Sequence, residues 1–305
     1  MDNIYDLIIL GSGPAGLTTG IYAGRSDLKI LIITKGKYGS LSKAHKIDNY
    51  PGMPDGIGGT ELNDMMEKQC RKFNAEFVTG AVLDFDFSNE IKIVKTSSGN
   101  YRGKYIVIAT GNFFGTSKIK GEKEFVGKGV SYCATCDGAF TKGLNTALFG
   151  KGDEVGEEAL SLTRFSDSIK IFVNSNEFIC KNDLKRAILA DNKIEIILDA
   201  ELLEIKGTEY VEKIIVKIKK TEEIKEYSMD FVFMYLGTKN NKELYGGYFD
   251  LDNHGFIITD NLMKTKIENI YAVGDVRSKE VRQITTAVND GTIAALEIIK
   301  ESLKK

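Results

Sequence analysis

Leu7-Ile8-Ile9-Leu10 runs directly into Gly11-Ser12-Gly13-Pro14-Ala15-Gly16. A stretch with helical spacing follows, from Leu17 to about Arg25, and then Ile30-Leu31-Ile32-Ile33. Short uninterrupted apolar runs suit parallel strands buried on both faces, so the order is strand, glycine turn, helix, strand. In that setting Gly-x-Gly-x-x-Gly is a dinucleotide-binding turn rather than an incidental glycine cluster. Its glycines permit a sharp turn and close approach to a pyrophosphate, and the next helix offers its N-terminal N–H groups.

A second, looser unit of the same kind begins at Asn145. Thr146-Ala147-Leu148-Phe149 reads as a strand and Gly150-Lys151-Gly152-Asp153-Glu154-Val155-Gly156 as a turn. Glu157 to about Arg164 reads as a helix and Ile169-Lys170-Ile171-Phe172-Val173 as the next strand. Between the two units, Tyr105-Ile106-Val107-Ile108 ends at the small residues Ala109-Thr110-Gly111, and Asn269-Ile270-Tyr271-Ala272-Val273 ends likewise at Gly274-Asp275. The expected fold is α/β, with two Rossmann-like three-layer domains, the second inserted into the first. The expected division is residues 1–112 and 242–305 for the first domain and 113–241 for the insert, which carries the Cys-x-x-Cys.

Composition narrows the function. Forty-one basic and forty-three acidic side chains among 305 residues leave a net charge of −2, which gives no global field for nucleic acid or an anionic membrane surface. No apolar run reaches membrane-spanning length. The N-terminal residues lack a basic n-region and a cleavage site, which predicts a cytoplasmic protein.

Of four cysteines, Cys133 and Cys136 form Cys-x-x-Cys, whereas Cys70 and Cys180 are isolated. A zinc site needs two further ligands at compatible spacing, and neither cysteine nor His45 nor His254 belongs to a ligand pair. No metal is expected. Cys-x-x-Cys at a helix start instead suits thiol–disulfide exchange, with one thiol of lowered pKa. Asp137 follows at once and is placed to supply the proton that a leaving thiolate needs. Cys70 and Cys180 read as buried bystanders, His45 as a loop residue or one packing at a cofactor's edge, and His254 as a turn residue.

Gly11 to Gly16, Asn49-Tyr50-Pro51-Gly52, Ala109-Thr110-Gly111, Cys133-Ala134-Thr135-Cys136-Asp137-Gly138, Gly274-Asp275 and Arg282-Gln283 occur in one order. In that set the chain resembles the low-molecular-weight thioredoxin reductases over nearly its whole length. The resemblance implies FAD at Gly11, Ser12, Gly13, Pro14, Ala15 and Gly16, with Thr34, Lys35, Ser40, Leu41, Asn49, Val82, Ala109, Thr110, Gly111, Gly274, Asp275, Arg282, Gln283 and Ile284 around the cofactor. It implies that Cys136 faces the flavin while Cys133 attacks thioredoxin, and that the protein is a homodimer.

The chain departs from that family at the second glycine turn. Val155 stands where relatives have a small residue, and so is expected to crowd and block the turn. After the next strand, Asn174-Ser175-Asn176-Glu177-Phe178-Ile179 stands where relatives place a His-Arg-Arg cluster, with Lys181 as a nearby cation. No arginine fork awaits a 2′-phosphate. In the first domain Tyr38-Gly39-Ser40 replaces Gly-Gly-Gln, and Thr34-Lys35 replaces the acidic residue for the adenosine ribose. A retained flavin site and dithiol with a degraded NADPH site is similar to the ferredoxin-dependent flavin thioredoxin reductases of clostridia. The expectation is therefore thioredoxin reduction with ferredoxin as donor. The alternatives are an ordinary NADPH-dependent thioredoxin reductase and a flavin-dependent oxidase of small dithiols.

Overall fold

The computed structural model describes residues 3–36, 39–114, 119–236, 238–239 and 242–304. The chain divides into one unit made of Met1–Phe113 with Lys239–Lys305 and another made of Phe114–Thr238. The first crossing falls between residues 113 and 114 rather than 112 and 113. The second falls between 238 and 239 rather than 241 and 242. The shift is physical, because Phe113–Phe114 and Thr238–Lys239 pair as short strands and the boundary runs through them. Tyr38 and the expected joint at Asn240-Asn241 lie outside the described residues.

In the first unit, Ile4–Leu10 lies between Ile30–Thr34 and Gly99–Ile108, all parallel. Glu76–Thr79 extends the sheet on one side and Ile270–Ala272 on the other, again parallel. The early half of Gly99–Ile108 also pairs antiparallel with Lys92–Thr96, which pairs with Val82–Asp86. Side-chain alternation sorts the core. Leu7 and Ile9 pack with Leu17, Ala294 and Ile298 of the helices Pro14–Gly24 and Ile284–Ser302. Ile8 and Leu10 face the opposite layer, with Phe85, Val94, Tyr245 and Phe249. The first four residues of Ile30–Thr34 are buried and Thr34 is half-buried, as a strand covered on both faces requires.

The second unit repeats this plan around a five-stranded parallel sheet with Asn145–Phe149 near its centre. Leu148, Ile169 and Ile171 face the helices Asp153–Leu162 and Asn182–Ala190. Ala147, Phe149 and Phe172 face an antiparallel sheet built from Ala200–Gly207, Val211–Ile218 and Glu223–Ser228. The helix after the second glycine turn begins at Asp153 rather than Glu157, because Gly152 at φ +92° provides the sharp entry. Both units are thus α/β, built on parallel strands with their long helices packed on one face of the sheet.

Candidate functional site: a disulfide and two glycine turns

Cys133 and Cys136 are joined as a disulfide with their Cα atoms 5.3 Å apart. That pairing is the oxidised state that thiol–disulfide exchange requires. Cys133 is the N-cap of the short helix Ala134–Asp137, and its Sγ accepts the Cys136 N–H at 3.2 Å. In the reduced state that N–H favours a thiolate at Cys133. Cys133 is half-buried and Cys136 exposed.

The segment is gripped by residues distant in sequence. Ser131 Oγ donates to Asp137 Oδ2 at 2.6 Å and accepts the Cys133 N–H at 3.2 Å. The Tyr235 hydroxyl accepts the Ala134 N–H at 2.9 Å, and Thr135 Oγ1 donates to Glu158 Oε1 at 3.0 Å. Ser131, Tyr235 and Glu158 are site residues that the sequence reading missed, and no short-range spacing signals the last two. Burial pushes the Asp137 carboxyl above the ordinary carboxylate range, against the lowering influence of the Ser131 hydroxyl. Asp137 thus sits in the same hydrogen-bonded segment as Cys133, with its protonated form favoured by burial.

In the first unit, the glycine turn is shaped as its sequence demands. Gly11 has φ +117°, and a Cβ there would lie 2.3 Å from the Ala109 carbonyl oxygen. A Cβ at Gly16 would lie 2.1 Å from the Gly11 oxygen, so this position carries the close helix–strand contact. A Cβ at Gly13 meets nothing within 4 Å. The three glycines thus divide into two that shape the backbone and one that leaves open space at the helix start, Gly13 being the N-cap.

Around this crevice, Ser12 Oγ donates to Thr34 Oγ1 at 3.0 Å, and Thr34 Oγ1 donates to the Gly36 oxygen at 2.7 Å. The hydroxyl at the position usual for a ribose acceptor is thus tied into the turn, next to exposed Lys35. Ser40 Oγ donates to the Asn112 oxygen at 2.8 Å, and Leu41 is half-buried against the core. Asn49 Nδ2 donates to Gln283 Oε1 at 3.3 Å, which joins two of the expected flavin residues 234 positions apart. Gln283 caps the helix Ile284–Ser302 in a capping box with Thr286, and the Arg282 guanidinium stacks 3.9 Å over the Phe256 ring. Thr110 shares a 2.7 Å hydrogen bond with the buried Tyr245 hydroxyl, a partner invisible in the sequence. Val82 is half-buried at the first position of its strand.

Asp275 Oδ1 is buried and accepts no well-formed hydrogen bond; Lys279 Nζ stands 3.4 Å away as its ion-pair partner. Desolvation pushes the Asp275 carboxyl up, opposed by Lys279 and Arg282. An under-satisfied carboxylate beside a glycine turn with open space at Gly13 fits a ligand rich in hydroxyls and phosphate. The residues expected to hold FAD therefore suit it.

The model of one family, described as pyridine nucleotide-disulphide oxidoreductase, matches residues 5–291. The chain belongs to that family. Thioredoxin reductase of Peptoclostridium litorale is 36 % identical over 98 % of both chains. The crystal structure of thioredoxin reductase from Streptococcus pyogenes superposes with a TM-score of 0.93 at 36 % identity, over 99 % of this chain and 100 % of that one. A ferredoxin-flavin thioredoxin reductase from Clostridium acetobutylicum has a TM-score of 0.53 at 28 % identity, over 99 % of each chain.

In this oxidoreductase the second glycine turn differs from the first in its charge. Val155 is buried in the apolar core, with Cγ2 next to the place a Cβ on Gly150 would occupy, at 2.8 Å. The expectation that Val155 blocks the turn is corrected. Its side chain points inward, the helix starts normally at Asp153, and a Cβ on Gly152 would meet nothing within 4 Å. The electrostatics are different. Asp153 and Glu154 occupy the helix's first turn, and Glu177 follows the next strand. Lys181 gives both its backbone N–H and its ammonium to Asp153, at 2.7 and 3.2 Å, and Lys185 pairs with Glu177 at 3.3 Å.

Cys70 is buried in the core with its thiol pushed up to about 12 by desolvation, and Cys180 is half-buried; His45 and His254 are exposed. Two substitutions separate shape from ligand binding in the oxidoreductase's first turn. Gly16→Ala is expected to destabilise the fold by about 1–3 kcal/mol through overpacking, read as a lower thermal midpoint. Gly13→Ala keeps extended backbone at φ −84°, which any residue adopts, and enters open space. It should leave stability unchanged while weakening FAD uptake about tenfold or more.

Proposed function

We propose that this disulfide oxidoreductase is a cytoplasmic, homodimeric thioredoxin reductase that takes its electrons from reduced ferredoxin rather than from NADPH. The carrying observation is the second crevice. Asp153 and Glu154 put carboxylates in the first turn of the helix after the second glycine turn, Glu177 follows the next strand, and Lys181 and Lys185 are each paired to a carboxylate. The likeness to a ferredoxin-flavin relative adds support.

Gly11, Gly13, Gly16, Asn49, Asp275 and Gln283 would hold FAD in the first unit. When bound, FAD takes up electrons singly or in pairs and delivers them in pairs. The exchange with the partner uses the chain's own groups. The Cys133 thiolate attacks one sulfur of the thioredoxin disulfide, forming a mixed disulfide and releasing a thiolate that takes a proton from Asp137. The Cys136 thiolate then attacks Cys133 Sγ, closing the 133–136 disulfide and releasing the second partner thiolate. Two electrons pass from the dithiol to thioredoxin, which leaves reduced.

The deciding experiment is an anaerobic titration of the yellow holoprotein with reduced ferredoxin, NADPH and NADH. Ferredoxin should bleach the flavin and drive thioredoxin reduction, and millimolar NADPH should do neither during turnover. Bleaching by micromolar NADPH within seconds would place the chain with the ordinary NADPH-dependent enzymes. Fast oxygen-dependent turnover of small dithiols, with none on thioredoxin, would make it a dithiol oxidase.

Asp137 gives the reaction a pH signature. Its folded-state pKa is raised, so the carboxyl keeps its proton at pH values where an exposed aspartate has lost it. Proton supply to the leaving thiolate is therefore present at acid pH and lost as pH rises through the raised value. Asp137→Asn should remove that limb from the pH profile of thioredoxin reduction and lower turnover about 10²-fold. By linkage a raised carboxyl contributes stability only below its ordinary range and loses it as pH rises, so the same variant should cost no stability at pH 7. An unchanged pH profile in this variant would remove Asp137 from the proton path.

A further inference from the structure

Lys279 is a buried lysine, its side chain 8 % exposed, and nothing in the exchange chemistry uses it. Its ammonium lies 3.1 Å from Asp290 Oδ2 and 3.4 Å from Asp275 Oδ1. It also donates to Thr286 Oγ1 at 3.4 Å, the hydroxyl that completes the capping box of Ile284–Ser302. Asp290, 3 % exposed, has a second cation in Arg277, whose Nε is 3.0 Å away, and accepts the Gly274 N–H at 3.1 Å. One ammonium thus joins the Gly274-Asp275 turn to the first two turns of the last helix.

The charges assign Lys279 its task. Asp290 has two cations, so it stays compensated when either is removed. Among the described residues, Lys279 is the cation within ion-pair distance of Asp275 Oδ1, and this oxygen is shut away from water. The Asp275 side chain as a whole is 34 % exposed, so without its partner the buried oxygen either takes up a proton or turns toward solvent. Both outcomes remove an ionised, oriented acceptor from the crevice that suits FAD.

We propose that Lys279 is a positioning residue of the flavin site, holding Asp275 ionised and aimed at the cofactor while tying it to the N-terminus of the last helix. The proposal rests on the reading of this crevice as the FAD site. Its test is the binding of FAD to apoprotein, followed by quenching of flavin fluorescence, together with thermal midpoints. Lys279→Met should weaken FAD binding about tenfold or more, and Lys279→Arg, which restores the cation, should bind within about threefold of the native protein.

Loss of a buried cation can also loosen the fold, and a double variant separates the two effects. Lys279→Met with Asp275→Asn removes the cation and the carboxylate it leaves unpaired together, while Asp290 keeps Arg277. Thermal stability should recover while FAD affinity stays low, because no ionised acceptor is left at position 275. Native-like FAD binding by Lys279→Met overturns the proposal. So does a double variant in which affinity returns along with stability, since Lys279 would then be a packing residue only. A native apoprotein that takes up no FAD would overturn the flavin-site reading itself and the proposal with it.

Discussion

Cys136→Ser is expected to accumulate a covalent adduct with thioredoxin, visible as a non-reducing gel shift that dithiothreitol reverses. Cys133→Ser should give no such adduct, and turnover in both variants should fall by on the order of 10³-fold or more. Two features of the site pull in opposite directions. Exposure favours Cys136 as the attacking sulfur, since Cys133 is half-buried. Hydrogen bonding favours Cys133, whose Sγ accepts the Cys136 N–H at the start of the helix Ala134–Asp137. Attack requires a thiolate, and a backbone donor at an N-cap selects which sulfur carries the charge at neutral pH. The donating N–H belongs to the short helix that carries Cys136, so the bond to Cys133 Sγ moves with the pair of sulfurs. Thiolate character therefore outweighs static exposure. With serine at 136 the mixed disulfide on Cys133 has no neighbouring thiol to resolve it and persists. If Cys133→Ser traps thioredoxin and Cys136→Ser does not, the two roles are exchanged.

The parts of this molecule that could be read from sequence are those in which chemistry and spacing are local. Gly11, Gly13 and Gly16 lie within six residues, and each glycine does what its place in the motif requires. The strands beside them are legible because both faces are buried and the apolar runs are unbroken. Val155 misled the sequence reading because composition does not say which way a helical side chain points. In a first turn that faces the sheet, the larger residue enters the core and leaves the ligand side open. Tyr235 and Glu158 escaped notice because they meet the dithiol segment from about 100 and 23 residues away. Lys279 and Asp290 were invisible as a pair for another reason: a lysine on a loop and an aspartate in a helix look solvated until the fold buries them.

NADPH and its fragments should bind poorly, and the 2′-phosphate should confer no advantage. In a site that uses arginine forks, each bidentate charge-assisted contact contributes on the order of 1.5–3 kcal/mol. The absence of two or three of them lowers affinity by roughly 10² to 10⁶-fold. The paired lysines do not compensate. Lys181 is committed to Asp153 and Lys185 to Glu177, and recruiting either one to a phosphate would leave an exposed carboxylate beside it. These surface pairs are themselves worth less than about 1 kcal/mol, so they do not seal the crevice. Asp153 and Glu154 in the first turn of the helix also compete with a phosphate for its N-terminal end. Equilibrium titration should therefore find 2′,5′-ADP and 5′-AMP within about threefold of each other, both with dissociation constants above about 1 mM. Because Val155 leaves the turn itself open, Val155→Ala should not improve either ligand, whereas Glu177→Arg should favour 2′,5′-ADP alone. Micromolar binding of 2′,5′-ADP to the native protein would show that a cation reaches the 2′-phosphate after all, and the case for a donor other than NADPH would fall with it.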